Sequence, residues 1–259
     1  MPEVSASFKI AWHGCEFDAT VSVPAEPVPP RRLLPMVQKL TSALVGMGEK
    51  LAEEAGRTIS CKAGCGACCR QLVPVSETEA RHLRDLVEAM PEPRRSHVKA
   101  RFAETRSKLE AAGLLDRLLK PNEHTRDLDL GIDYFHAGVP CPFLEDESCS
   151  IHPDRPLVCR EYLVTSPPER CGSPSPGYVE RVPVPGQFMT SFAKLDGPTE
   201  RAVRWVPLAL SIEWADAHAE PPPSIPGPKL FGVFMNALLG GEQVPPPGQA
   251  FTPKPQAES

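Results

Sequence analysis

No apolar run in this chain approaches the roughly 18–20 residues that a membrane-spanning helix needs. An excess of positive charge is lacking too. Lysine and arginine number 28 against 33 acids, for a net charge of −5 and a sequence pI near 5.8. That balance argues against binding nucleic acid or a membrane surface by bulk charge. The first residues, MPEVSASFKIAWHG, do not run from a basic to an apolar segment. No secretory signal is therefore read, and a cytoplasmic location is expected. Internal repeats are absent. Aromatic residues are scarce, at 6%.

Proline and cysteine are present in unusual number. The 32 prolines are more than twice the usual share and imply long irregular connections. Apolar residues at 41% and charged residues at 24% indicate one globular domain with embellishments, able to bury a core. The nine cysteines are the informative part. In a reducing compartment, clustered cysteines bind metal more often than they form disulfides.

The spacing predicts a β-hairpin over residues 4–23, with His13-Gly14 at the turn. A proline-rich connection follows to about residue 30. A helix is expected over 33–55, with Leu33, Met36, Leu40, Leu44, Met47, Leu51 and Ala55 on one face, Pro35 in the first turn and Gly56 at the end. Ser76 and Glu79 have capping-box spacing and open a second helix, with Ala80, Leu83, Val87 and Met90 facing inward. A third runs from Pro93 to about Gly113, with Val98, Phe102, Leu109 and Ala112 inward. Its charged face (Lys99, Arg101, Glu104, Arg106, Lys108) reads as solvated. Residues 122–171 lack a long helical period, and 172–200 read as irregular chain with a short strand such as YVERVPV. Helical spacing returns at 202–219, around Trp205, Leu208, Ile212 and Trp214. It returns again at 229–239, around Phe231, Phe234, Met235 and Leu238, and those aromatics read as core. After Gly240 the tail, 241–259, is low in apolar residues and is expected to be disordered. The expected fold is mainly α (α+β). A hairpin and proline-rich connection occupy 1–30, and a cysteine-cluster metal-binding domain occupies 31–240, with its helices around a loop-rich cysteine segment.

Four thiols fall within nine residues in Cys61-Lys-Ala-Gly-Cys65-Gly-Ala-Cys68-Cys69. On a continuous helix Cys61 and Cys68 would stand about 10.5 Å apart along the axis, too far for one tetrahedral zinc with bonds of about 2.3 Å. Gly64 and Gly66 therefore imply a knuckle, or else the site is larger than one ion. Cys68 and Cys69 are adjacent, so their side chains diverge. A second set is spread over thirty residues: Cys141, Cys149, Cys159 and Cys171. Arg155 and Arg160 are candidates for holding an anion or a cofactor, or for neutralising thiolates. His152 is a candidate ligand beside a proline. Glu145, Asp146, Glu147, Asp133 and Tyr134 lie close in sequence and read as an exposed acidic loop.

CKAGCGACC, then CPFL, then C-x-I-x-x-x-R-P-x-x-C-R-x-Y resemble the bacterial cysteine-cluster family of the YkgJ type, a zinc- or iron-chelating domain with a CxxxCxxCC motif. Flagellin lysine N-methylases carry a similar cluster. The resemblance covers about Cys61 to Tyr162. It implies metal binding by Cys61, Cys65, Cys68, Cys69, Cys141, Cys149 and Cys159, with Cys171 as an eighth candidate. Cys15 lies outside the pattern, and His152 stands where an aromatic such as tyrosine is expected. Thiolate-only donors at wide spacing suit an iron–sulfur cluster. Zinc is the alternative, although only Cys65 and Cys68 have the compact C-x2-C spacing. The methylase likeness implies S-adenosylmethionine as a cofactor and a protein substrate, but no glycine-rich strand–turn–helix motif accompanies it. Cys61-x3-Cys65-x2-Cys68 is also the spacing of radical enzymes that cleave that cofactor, and those need a β/α barrel. A module that stores, delivers or senses iron or zinc without turnover is the non-enzymatic alternative.

Overall fold

The computed structural model describes residues 2–120, 128–173, 178–197 and 204–240, together with the backbone of 251–253. Strands β1 (Glu3–Trp12) and β2 (Cys15–Pro24) pair antiparallel along their whole length. The turn between them has positive φ at both His13 and Gly14, which matches the right-handed twist of a two-residue hairpin. Ala6, Ile10, Val21 and Val23 are buried, as period-two alternation requires. Further along, β3 (Pro27–Val28) leads to helix α1 (Leu34–Glu54). This helix ends where Gly56 takes φ +71. Gly56 N–H donates to Glu53 O and Arg57 N–H to Ala52 O, the paired bonds by which a C-terminal glycine satisfies the last carbonyls.

After the first cysteine cluster come β4 (Pro74–Val75), α2 (Glu77–Glu88), α3 (Arg94–Ala111) and the short α4 (Leu115–Leu119). The cysteine segment holds α5 (Leu128–His136), β5 (Leu144–Glu145), β6 (Ser148–Cys149) and α6 (Leu157–Glu161). Beyond it lie α7 (Phe188–Ala193), β7 (Val206–Pro207), α8 (Ser211–Ala217), β8 (Ile225–Pro226), α9 (Gly227–Leu239) and β9 (Phe251–Pro253). The backbone of β9 adds to the free edge of β1. β3 pairs with β8, β4 with β7 and β5 with β6, all antiparallel. The fold is mainly α with a small hairpin sheet, as the sequence predicts.

Several boundaries differ from expectation. Residues 122–127 lie outside the described residues, but 128–136 form a helix too short to show a long helical period. Leu130 and Tyr134, four apart, are both buried. The YVERVPV stretch contributes one bridge, Arg181 to Val164. α7 was not foreseen because Phe188, Met189, Phe192 and Ala193 are all buried, and a helix with no polar face has no amphipathic contrast. The expected helix at 202–219 shrinks to α8 because Val206–Pro207 pairs as a strand. Arg101 is not merely solvated: it donates to Glu145 (2.8 Å) and to Leu144 O.

Three apolar clusters result. The first joins the hairpin, α1, α6, α7 and α9. The second joins α2 and α3 to Phe143, Ile151, Val206 and Leu208. The third gathers Leu109, Leu118, Leu130, Tyr134 and Leu210. Cys61 packs against the first cluster, whereas Cys141 and Cys149 pack against the second. The thiols therefore sit at the seam between two cores.

Three buried carboxylates close a ring across that seam. Glu79 of α2 accepts from the first N–H of α6, Leu157 (2.8 Å). Glu161 of α6 accepts from the first N–H of α7, Phe188 (2.7 Å). Asp196, just beyond α7, accepts from Thr78 N–H in the first turn of α2 (3.1 Å). Each carboxyl thus accepts from the first turn of the next helix, satisfying donors that no intrahelical bond can reach.

Burial raises Asp196 from 3.8 to about 7, against the pull of its Thr78 hydrogen bond. The folded state therefore holds this proton more tightly than the unfolded chain does. The stability it confers is fully present below about pH 4 and is lost as pH rises towards 7. Asp196→Asn keeps an acceptor for Thr78 and removes the titration. Thermal melts from pH 5 to 7.5 should show a shallower decline in the variant than in the wild type. Parallel declines would contradict this assignment.

Candidate metal centre

The first cysteine loop is built by two glycines for different reasons. Cys65 N–H donates to Lys62 O (3.1 Å), closing a turn whose third residue, Gly64, has φ +84. That is a conformation glycine reaches without strain. Gly66 has an ordinary φ of −92, but a Cβ there would meet Glu147 Oε2 at 2.4 Å and Leu144 Cδ1 at 2.8 Å. Its bare backbone is what lets the loop lie against the β5–β6 hairpin. A 3-10 turn over Ala67–Arg70 then presents Cys68 and Cys69.

The second half docks on this loop through bonds that span the sequence. Cys141 N–H donates to Cys69 O (2.7 Å), and Ser60 N–H to Val164 O (2.9 Å). Gly64 N–H donates to Ser148 Oγ (3.1 Å), and Gln71 Nε2 to Cys171 O (3.2 Å). Arg70 clamps Glu147 in a bidentate pair at 2.9 and 2.6 Å. Glu147 and Asp146 both have positive φ, 55° and 47°. This costs a non-glycine residue roughly 1–2 kcal/mol, and the Arg70 pair helps to hold Glu147 in place.

The two halves thereby enclose one cavity of about 520 Å³. Cys61, Cys65, Cys68, Cys69, Cys141, Cys149, Cys159 and Cys171 all line it, with Arg155 and His152. All nine cysteines are free thiols, and only Cys171 is fully buried. Cys15 lies apart, paired with Trp12 at the hairpin turn. Among the described residues, no three His, Cys, Asp or Glu side chains converge closely enough to hold one ion. The thiols ring a space rather than a point. The donor set is nonetheless chemically suited to soft or borderline metals, because eight thiols line the cavity with His152 the one nitrogen candidate at its rim.

The cavity disfavours free thiolates. Burial raises the thiols of Cys61 and Cys149 and lifts Cys159 well above its ordinary value. Burial takes Cys141 to about 12 and Cys171 to about 11. Cys68 is raised first by its hydrogen bond with the Cys69 thiol and then by burial. Neighbouring thiols add to these shifts, and Cys68 contributes to those of Cys61, Cys141, Cys149, Cys159 and Cys171.

The family model CxxCxxCC, described as "Putative zinc- or iron-chelating domain", matches residues 60–174. Over this segment the chain is similar to that cysteine-cluster domain. The segment begins one residue before Cys61 and ends just after Cys171, so all eight cavity thiols belong to it. No curated protein and no solved structure matches the chain. Among the described residues, no helix is long and apolar enough to cross a membrane.

The two candidate arginines of this segment have different surroundings. Arg160 is spent on structure. Its Nε donates to Arg155 O (2.9 Å), its Nη1 to Ser42 Oγ (3.2 Å) and its Nη2 to Pro153 O. Arg155 lines the cavity, and its Nε is buried with no hydrogen-bond partner. His152 is exposed at the rim. Of the acidic residues near the cluster, Asp146 and Glu147 are exposed as expected, but Glu145, Glu147 and Asp133 are also engaged in ion pairs. Glu145 pairs with Arg94 and Arg101, and Asp133 pairs with Arg117. Tyr134 is buried. Neither the Arg70–Glu147 clamp nor the Glu79 contact to α6 is legible in sequence, because both join residues more than seventy positions apart.

Proposed function

We propose that this chain is a metal-chelating protein whose eight cavity thiols form one polynuclear thiolate site, holding an iron–sulfur cluster in preference to zinc. The observation that carries this reading is the single cavity shared by thiols from both halves of the motif. It is wider than one tetrahedral ion with sulfur ligands at about 2.3 Å requires. A cluster of several irons reaches ligands that one ion cannot. Zinc remains the second reading, because the matched domain is described as chelating either metal. Free thiols throughout suit a reducing compartment such as the cytoplasm.

Storage, delivery or sensing of the metal accounts for these features without turnover. Nothing in the geometry supports lysine methyl transfer to a protein substrate. Among the described residues every strand pair is antiparallel. The parallel sheet that holds S-adenosylmethionine in dinucleotide-type folds, and the barrel of the radical enzymes, are therefore not found there.

The test is anaerobic purification followed by an absorption spectrum and iron, zinc and sulfide analysis of the same sample. Iron and acid-labile sulfide in roughly equal amounts, with the colour of a cluster, are expected. Zinc without sulfide would replace the iron–sulfur reading with the zinc one, and protein that retains neither metal would overturn both.

A further inference from the structure

Arg155 is a cation with which no carboxylate among the described residues pairs. Its Nε is buried and unpartnered, an arrangement that costs free energy unless something not yet counted pairs with it. Its carbonyl is pinned by Arg160, which also grips Pro153 O and Ser42. The backbone that carries Arg155 is thus fixed from behind by the second arginine of the same motif. In front of it is the thiol cavity. Cys61 and Cys68 from the first half and Cys149 from the second line that same cavity with Arg155.

We infer that Arg155 is the internal counter-ion of the metal–thiolate site, and that Arg160 is the residue that positions it. The inference rests on the metal-chelating reading above and adds a division of labour between two arginines that the sequence leaves equivalent. A metal bound by four or more thiolates carries net negative charge, and burying that charge at a seam between two cores requires compensation. Arg155 supplies it from within the cavity wall, reaching both halves of the motif. In the metal-free chain the Arg155 Nε has no partner to lose.

This predicts opposite effects in the two states, which a merely structural arginine would not show. The full chain is made metal-free and reduced without oxygen, and Zn²⁺ is titrated in competition with a chromophoric chelator. Arg155→Gln should weaken zinc binding about 10–100-fold, the usual cost of losing a group that supports metal ligands. Arg155→Lys, which keeps the charge, should recover most of that loss. Arg95→Gln, which removes a surface charge paired with Glu92, should change nothing. In the metal-free state, Arg155→Gln should melt at the same temperature as the wild type or higher. Zinc affinity equal to wild type in Arg155→Gln would overturn the inference and leave the chelation reading standing. A metal-free Arg155→Gln that melts well below the wild type would also overturn it, by making the residue structural. A wild type that takes up neither zinc nor, when supplied with iron and sulfide, an iron–sulfur cluster would overturn both.

Discussion

Cys65→Ser should release the metal and loosen residues 137–156 and 165–173, while α1 keeps its hydrogen-exchange protection. Serine oxygen is a poor substitute for a thiolate with soft or borderline metals. Structural zinc sites contribute about 10–16 kcal/mol of apparent binding energy at pH 7, as much as the whole net stability of an ordinary domain, about 5–15 kcal/mol. The segments named have little regular structure to order them, although Phe143 and Ile151 anchor part of them in the second core. Backbone ordering costs about 1–2 kcal/mol per residue, and their regular structure is one two-residue hairpin and short 3-10 turns.

The loosening should not be uniform. Leu157 and Leu163 are buried in the first core, and α6 is held at both ends by Glu79 and Glu161. Protection over 157–163 should therefore outlast protection over 144–156. α1 buries Leu34, Val37, Leu40, Leu44 and Val45 without help from the thiols and should be unaffected. The measurement is hydrogen exchange on wild type and on Cys65→Ser, both prepared without oxygen. Unchanged protection across 137–173 in a metal-free variant would show that the thiols serve metal handling rather than architecture.

What the sequence made legible was local. The His13-Gly14 turn, the Ser76–Glu79 capping box and the Gly56 helix end all have signatures within four residues, and the structure contains each. The buried face of α1 was read slightly rotated. Thr41 and Gly48 lie on it, and hydrophobicity does not mark either. Thr41 satisfies its hydroxyl on Val37 O at 2.8 Å. Gly48 is there because a Cβ would fall 2.1 Å from Pro183 O. The cysteines announced a site by spacing. What closes that site is not local: Arg70 meets Glu147 across 77 positions, and no periodicity or motif encodes such a pair. The same holds for the split between Arg155 and Arg160, which depends on where the 153–155 turn places two carbonyls.

The carboxylate ring gives the largest expected effect of any change remote from the thiols. Glu79 does two things at once. Its Oε2 accepts from Ser76 N–H (3.0 Å) and Ser76 Oγ (2.9 Å), completing the capping box of α2. Its Oε1 accepts from Leu157 N–H, fixing the start of the helix that carries Cys159. The residue is 2% exposed, so water cannot replace these bonds. Burial raises its carboxyl, and the donors around it oppose that shift. Glu79→Ala leaves two buried N–H groups and a hydroxyl unpaired. Each costs about 1–3 kcal/mol, with a cavity left in addition, so a loss of about 3–5 kcal/mol is expected in denaturant unfolding. Glu79→Gln keeps the acceptor oxygen towards Leu157 but turns an amide towards the Ser76 N–H, two donors facing each other. It should recover only part of the loss. The ring also predicts where the damage travels. With α6 released at its first turn, Cys159 loses its position. Glu79→Ala should therefore lower metal retention although Glu79 does not line the cavity, whereas truncating the α3 surface residue Glu104, paired only with Lys108 in the solvent, should do neither. A Glu79→Ala protein that unfolds at the wild-type midpoint, or that loses stability while holding metal as tightly as wild type, would break the proposed link between the ring and the thiol site.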